Sequence, residues 1–124
     1  MQCPKCGEPM ETVIFEGTEV DRCTGCRGIW FDEFEKYRLE RLPGARALDV
    51  GDARVGREMN ARNRYPCPRC GNPMIRMVDH QHSHVGFEQC GSCRGTFFDA
   101  GEFRDLTGHS FQDVLRRWFS RGPD

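Results

Sequence analysis

Apolar and polar letters alternate along this chain in two stretches short enough to be strands. ETVIF at 11–15 and TEVDR at 18–22 place β-branched and aromatic residues on either side of Glu16-Gly17, which predicts a β-hairpin closed by a tight turn. MIRMV at 74–78 and HVGFEQ at 84–89 predict a second hairpin, its loop lengthened by DHQHS. Each is followed by an aromatic pair, Trp30-Phe31 and Phe97-Phe98, and then by helix formers: EFEKYRLERL, which stops before Pro43-Gly44, and AGEFRDLT, which stops at Gly108. The aromatics lie where apolar letters are densest, so they are expected in a core rather than stacked on nucleotide bases. A last stretch, HSFQDVLRRWFSRGP, puts Phe111, Val114, Leu115, Trp118 and Phe119 on one helical face behind a capping box of Ser110 and Asp113. So short a helix is marginal alone. Its face is expected to dock on the second half of the chain, or else to serve as a partner-binding or self-association surface.

The pattern is a duplication. CPKCGEPM at 3–10 returns as CPRCGNPM at 67–74, and CRGIWFDEFE at 26–35 returns as CRGTFFDAGE at 93–102. The 16 residues between the second and third cysteine of the first copy become 19 in the second. Asp32 with Glu35, and Asp99 with Glu102, stand just ahead of the two helical runs at the spacing of a capping box. A cap is therefore expected of them rather than general acid-base chemistry, for no nucleophile accompanies them.

All 8 cysteines fall into CxxC pairs. Such a count would suggest disulfides in a secreted chain, but the N-terminus has no signal-type stretch and no apolar run is long enough for a membrane span. The expectation is a soluble cytoplasmic chain in which paired thiolates bind metal. Four thiolates from two tight turns can surround one zinc ion at about 2.3 Å. Cys3, Cys6, Cys23 and Cys26 are assigned to one ion, and Cys67, Cys70, Cys90 and Cys93 to another, with iron as the rival occupant. Gly7 and Gly71 can supply the positive φ of the first turn in each unit. A closed four-thiolate site serves folding rather than catalysis, so the chain is read as no enzyme. His80, His82 and His84 alternate in the longer loop and are a candidate accessory metal site, though a solvated loop is the simpler account.

The pattern CPxCG-x-PM, a hairpin, then CxxCRG-x-[WF]-F-D-x-x-E resembles the transcription-factor-IIB-type zinc-finger family over residues 3–37 and 67–106. That resemblance implies a zinc ribbon in each half, with the eight cysteines as ligands, and a link to transcription by analogy alone. The fold class expected is small metal-stabilised α+β: two zinc ribbons, each a β-hairpin plus a short helix, and a short C-terminal amphipathic helix. The units are taken as 1–42, an arginine-rich linker at 43–65, 66–108, and a C-terminal helix and tail at 109–124.

Charge narrows the partners. Neither ribbon is basic: residues 1–37 hold four Lys or Arg against eight acids, and residues 67–107 hold four against five. Each zinc with its thiolates adds a charge of −2, taking the loaded chain from −1 to roughly −5. Lys5, Arg69, Arg27 and Arg94 beside the cysteine pairs are expected to offset the thiolates. Residues 38–66 differ, with seven arginines against four acids. Arg54, Arg57, Arg62 and Arg64 are the candidate nucleic-acid contacts there, on what reads as a mobile linker. A non-enzymatic zinc-binding module for protein partners is the function expected, with nucleic-acid binding through the linker second and zinc-thiolate redox sensing third.

Overall fold

A computed structural model describes residues 1–62, 65–79 and 84–107. The first hairpin pairs β1 (Met10–Phe15) with β2 (Thr18–Cys23), Met10 opposite Cys23 and Phe15 opposite Thr18. Its turn is the expected Glu16-Gly17, both at positive φ (50° and 78°), the two-residue geometry that matches strand twist. β3 (Ile29–Phe31) pairs with β2, and α1 (Glu35–Glu40) follows. The second copy repeats this with β4 (Met74–Val78), β5 (Gly86–Cys90) and β6 (Thr96–Phe98). Residues 102–107 form its helix, here α3.

The copies do not stand apart. β3 and β6 pair antiparallel, Trp30 opposite Phe97, so both hairpins belong to one six-stranded sheet in the order β1-β2-β3-β6-β5-β4. That order reads the same from either end, which makes the seam an isologous contact between duplicated units. Successive residues of β3 and β6 point to opposite faces. One face gathers Val20, Ile29, Phe31, Phe87, Phe98, Phe103 and Leu106 into an apolar core that draws on both copies. The rings of Phe31 and Phe98 meet edge to face at 5.7 Å across the seam. The other face gathers Trp30, Phe97, Met74 and cysteines of both copies. The four aromatics expected in a core are indeed fully buried. Burying each contributes on the order of 2 to 3 kcal/mol, a large share of what so small a domain can collect.

The described part of the stretch read as a mobile linker is folded. Residues Ala45–Leu48 make a 3-10 turn whose Ala45 and Leu48 are buried in the first core, against partly buried Val13 and Phe15 of β1. α2 (Ala53–Asn60) follows behind Asp52, whose carboxylate accepts the Arg54 N–H at 2.8 Å. Val55 and Met59 of α2 pack on the second core. Gly56 lies so close to the Ala100 carbonyl that a side chain there would collide with it. Arginines spaced along a turn-rich sequence hid a helix whose apolar positions are few.

The capping-box expectation is corrected in part. Glu35 Oε1 does reach back to accept the Asp32 N–H at 2.7 Å, but the N-cap position of α1 belongs to Phe34, and no side chain caps it. In the second copy Glu102 Oε2 instead accepts the Gly86 N–H at 3.1 Å. The Asp32 and Asp99 carboxylates serve a longer-range purpose, described next.

Candidate metal centre

Each CxxC pair sits in a tight turn set by backbone hydrogen bonds. In the first turns Cys3 N–H bonds to Glu8 O and Gly7 N–H to Cys3 O, mirrored by Cys67 with Asn72 and Gly71 with Cys67. Gly7 and Gly71 take φ of 80° and 76°, as their place in the motif requires. In the second turns Arg27 and Arg94 occupy the corresponding left-handed position, with φ of 66° and 63°. Turns of this shape aim backbone N–H groups at sulfur: Gly25 at Cys23, Arg69 at Cys67 and Cys93 at Cys90, at 3.3 to 3.4 Å.

The eight sulfurs form two groups of four, Cys3/Cys6/Cys23/Cys26 and Cys67/Cys70/Cys90/Cys93, all sulfurs of a group within 4.8 Å of one another. Contacts of 3.7 Å (Cys3 to Cys26), 3.3 Å (Cys6 to Cys23), 3.6 Å (Cys67 to Cys93) and 3.3 Å (Cys70 to Cys90) approach the edges, about 3.8 Å, of a sulfur tetrahedron around zinc. No disulfide links them. The donor set therefore fits one zinc ion per group. Burial pushes the metal-free Cys23 thiol up to about 11 and Cys67 to about 12, so binding has to expel protons from these sites. Cys3, Cys23 and Cys26 of the first group are buried, whereas Cys70 of the second is exposed.

Two of the four charges expected to offset the thiolates, Lys5 and Arg69, instead cross to acids of the other copy. Lys5, between the first two ligands, places Nζ 2.5 Å from Glu88 Oε1, 2.7 Å from Asp99 Oδ2 and 3.2 Å from Met59 O. Arg69, its repeat counterpart, donates to Asp32, with Nη2 at 2.9 Å from Oδ2, and to Asp21 Oδ2 at 3.3 Å. The correspondence is complete, since Asp21 is opposite Trp30 in β2–β3 as Glu88 is opposite Phe97 in β5–β6. The first triad is sealed, its side chains no more than 1% exposed. Glu88 Oε2 and Asp99 Oδ1 are buried without hydrogen-bond partners among the described residues. Burial accordingly pushes both carboxyls up, against the pull of Lys5.

Two glycines complete the reciprocity. A side chain on Gly28 would run into the Phe97 ring, and one on Gly95 into the Trp30 ring. The CRG of each copy is thus the floor on which the other copy's aromatic lies. Sequence reasoning missed these pairings, although the duplication held a signal: a cation in each first CxxC, an acid two residues before each third cysteine, and an Asp after each aromatic pair.

Other candidates fall differently. His80, His82, Arg64 and the five apolar residues from Phe111 to Phe119 lie outside the described residues. Arg54 and Arg57 are on the exposed side of α2, while Arg62 Nη1 turns to Lys5 O at 3.5 Å. Arg27 pairs with Glu11 at 3.6 Å. Among the described residues no further group of His, Cys, Asp and Glu gathers at metal-binding distance. No helix among them is long and apolar enough to cross a membrane.

A family model described as a transcription factor zinc-finger matches the chain twice, at residues 2–41 and 66–108. Those bounds enclose each four-cysteine group with its strands and helix. Comparisons with curated proteins and with solved structures gave no match.

Proposed function

The chain belongs to the transcription factor zinc-finger family, and from that premise we propose that it is a non-enzymatic zinc-binding module that works by contacting protein partners, within transcription-related machinery. The observation that carries this reading is where the motif residues are spent. Both four-thiolate groups would close a zinc coordination shell. Lys5, Arg69, Trp30, Phe97, Gly28 and Gly95 are used to join one ribbon to the other. The described surface includes an apolar strip: Ile75, Met77 and Val78 are exposed along β4, an outer strand with no partner on its far edge among the described residues, which can accept a partner strand. The ribbons' excess of acids argues for protein over phosphate as the thing contacted.

Nucleic-acid binding is the second reading, favoured by Arg54 and Arg57 facing solvent on α2. Fluorescence anisotropy of the zinc-loaded protein against single- and double-stranded DNA and RNA, at low and physiological salt, separates the two. The interaction reading expects no binding at physiological salt. Binding that weakens steeply with salt and is lost in an Arg54→Glu/Arg57→Glu variant overturns it in favour of phosphate contact.

A further inference from the structure

α2 does for one half of the molecule what nothing described does for the other. On the second copy, Ala53 and Gly56 lie against Gly101 and Ala100, and Asp49, just ahead of α2, accepts the N–H of Gly101 at 2.8 Å and of Arg104 at 2.9 Å. The counterpart turn on the first copy, Asp32 to Glu35, has no such cover among the described residues. Phe34 stands where Gly101 stands in the repeat, and it takes the same left-handed conformation, φ 74° against 91°. A bulky aromatic is strained there. Yet its ring is not tucked into a core: Phe34 is 71% exposed, and Tyr37, one turn on, is 51% exposed. Strain that secures no internal packing is a mark of a surface kept for contact.

We propose that the Phe34–Tyr37 face is the docking site of this chain's own C-terminal segment, with Trp118 and Phe119 of the amphipathic run 111–119 as the anchoring side chains. Three observations converge on that occupant. The segment follows α3 as the folded linker follows α1, and the linker needs only the nine residues from Glu40 to Asp49 to reach the opposite copy's turn. Counting the same nine residues from Thr107 arrives at Arg116, beside Trp118. The charges complement: the open half presents four acids, Asp21, Asp32, Glu33 and Glu35, against Arg69 and Arg38, and the segment carries Arg116, Arg117 and Arg121. The apolar character also matches, two exposed aromatics on one side and an apolar helical face on the other. This assignment is independent of the interaction role proposed above.

Proton NMR of the zinc-loaded full chain tests it. The expected result is a set of nuclear Overhauser contacts between the Phe34 or Tyr37 ring and the Trp118 indole, all within one molecule. A Phe34→Gly variant, which keeps the backbone conformation, should abolish them and move the Trp118 indole resonance toward its free position. An Arg116→Glu/Arg117→Glu variant should weaken them without disturbing the resonances of β5 and β6. Contacts that appear only between labelled and unlabelled chains in a mixed sample assign the face to a second copy and overturn the proposal. Random-coil shifts across 111–119 with no contact to the face overturn it as well.

Discussion

The Lys5 and Arg69 triads hold the same places in the repeat and could hardly differ more in surroundings. Lys5, Glu88 and Asp99 are sealed, while Arg69 and Asp32 are 46% and 41% exposed on their side chains. The difference is one element: α2 crosses the Lys5 side, supplying Met59 O as a third acceptor and Val55 and Met59 as cover. A charge pattern written twice in the sequence therefore yields one high-stakes buried cluster and one screened surface bridge. Burial rather than sequence position decides what an ion pair contributes.

The largest perturbation removes the metal. Both triads are anchored in turns that the cysteines shape, so a strong chelator should unfold the two halves together. On the order of 10 kcal/mol of binding free energy supports structural zinc of this kind. Circular dichroism during titration with chelator checks this, and one half remaining folded would show that the halves are separable.

Next comes Lys5→Met. It leaves two buried carboxylates facing each other without their cation, and unfolding in urea should show a loss of about 3 to 5 kcal/mol. A loss below about 1 kcal/mol would mean that the sealed triad is no different from its exposed twin.

Smaller, and dependent on pH, is Glu88→Gln. Burial raises the folded-state Glu88 pKa above its ordinary 4.5, so the acid favours the folded state in its protonated form and ionising it there has a cost. The protonated acid's contribution is present in full below the unfolded value and is lost as pH rises through the folded one. The variant should therefore gain on the parent in melting temperature as pH rises above the ordinary 4.5 of a glutamate. A difference that is flat with pH would contradict the shift. The smallest effect belongs to Arg69→Ala, at most about 1 kcal/mol and fading with added salt. A salt-independent loss as large as that of Lys5→Met would erase the comparison.

The metal ligands, the first hairpin with its Glu16-Gly17 turn, and the positive φ of Gly7 and Gly71 were legible because each is a local matter, settled within a few residues of spacing. Asp32 was read as a helix cap for the same reason: its distance to Glu35 explained it locally, and half of that box exists. Its partner Arg69 is 37 positions away, beyond the reach of any spacing rule. Trp30 and Phe97 were legible as core, but their seats on Gly95 and Gly28 were not, since a glycine beside a ligand already has a turn to explain it. What joins the copies became readable only when the repeat was laid against itself in space.

The seam between β3 and β6 holds three residue pairs. That is little for two free ribbons to find each other by, given the translational and rotational entropy that association costs. Carried on one chain, they meet at an effective concentration in the millimolar range. The covalent tether adds proximity to what the seam and the other contacts between the copies supply. It also relieves the pair of the identity that a symmetric dimer imposes. One copy is free to keep a glycine under a helix while the other turns an aromatic ring outward at the same position.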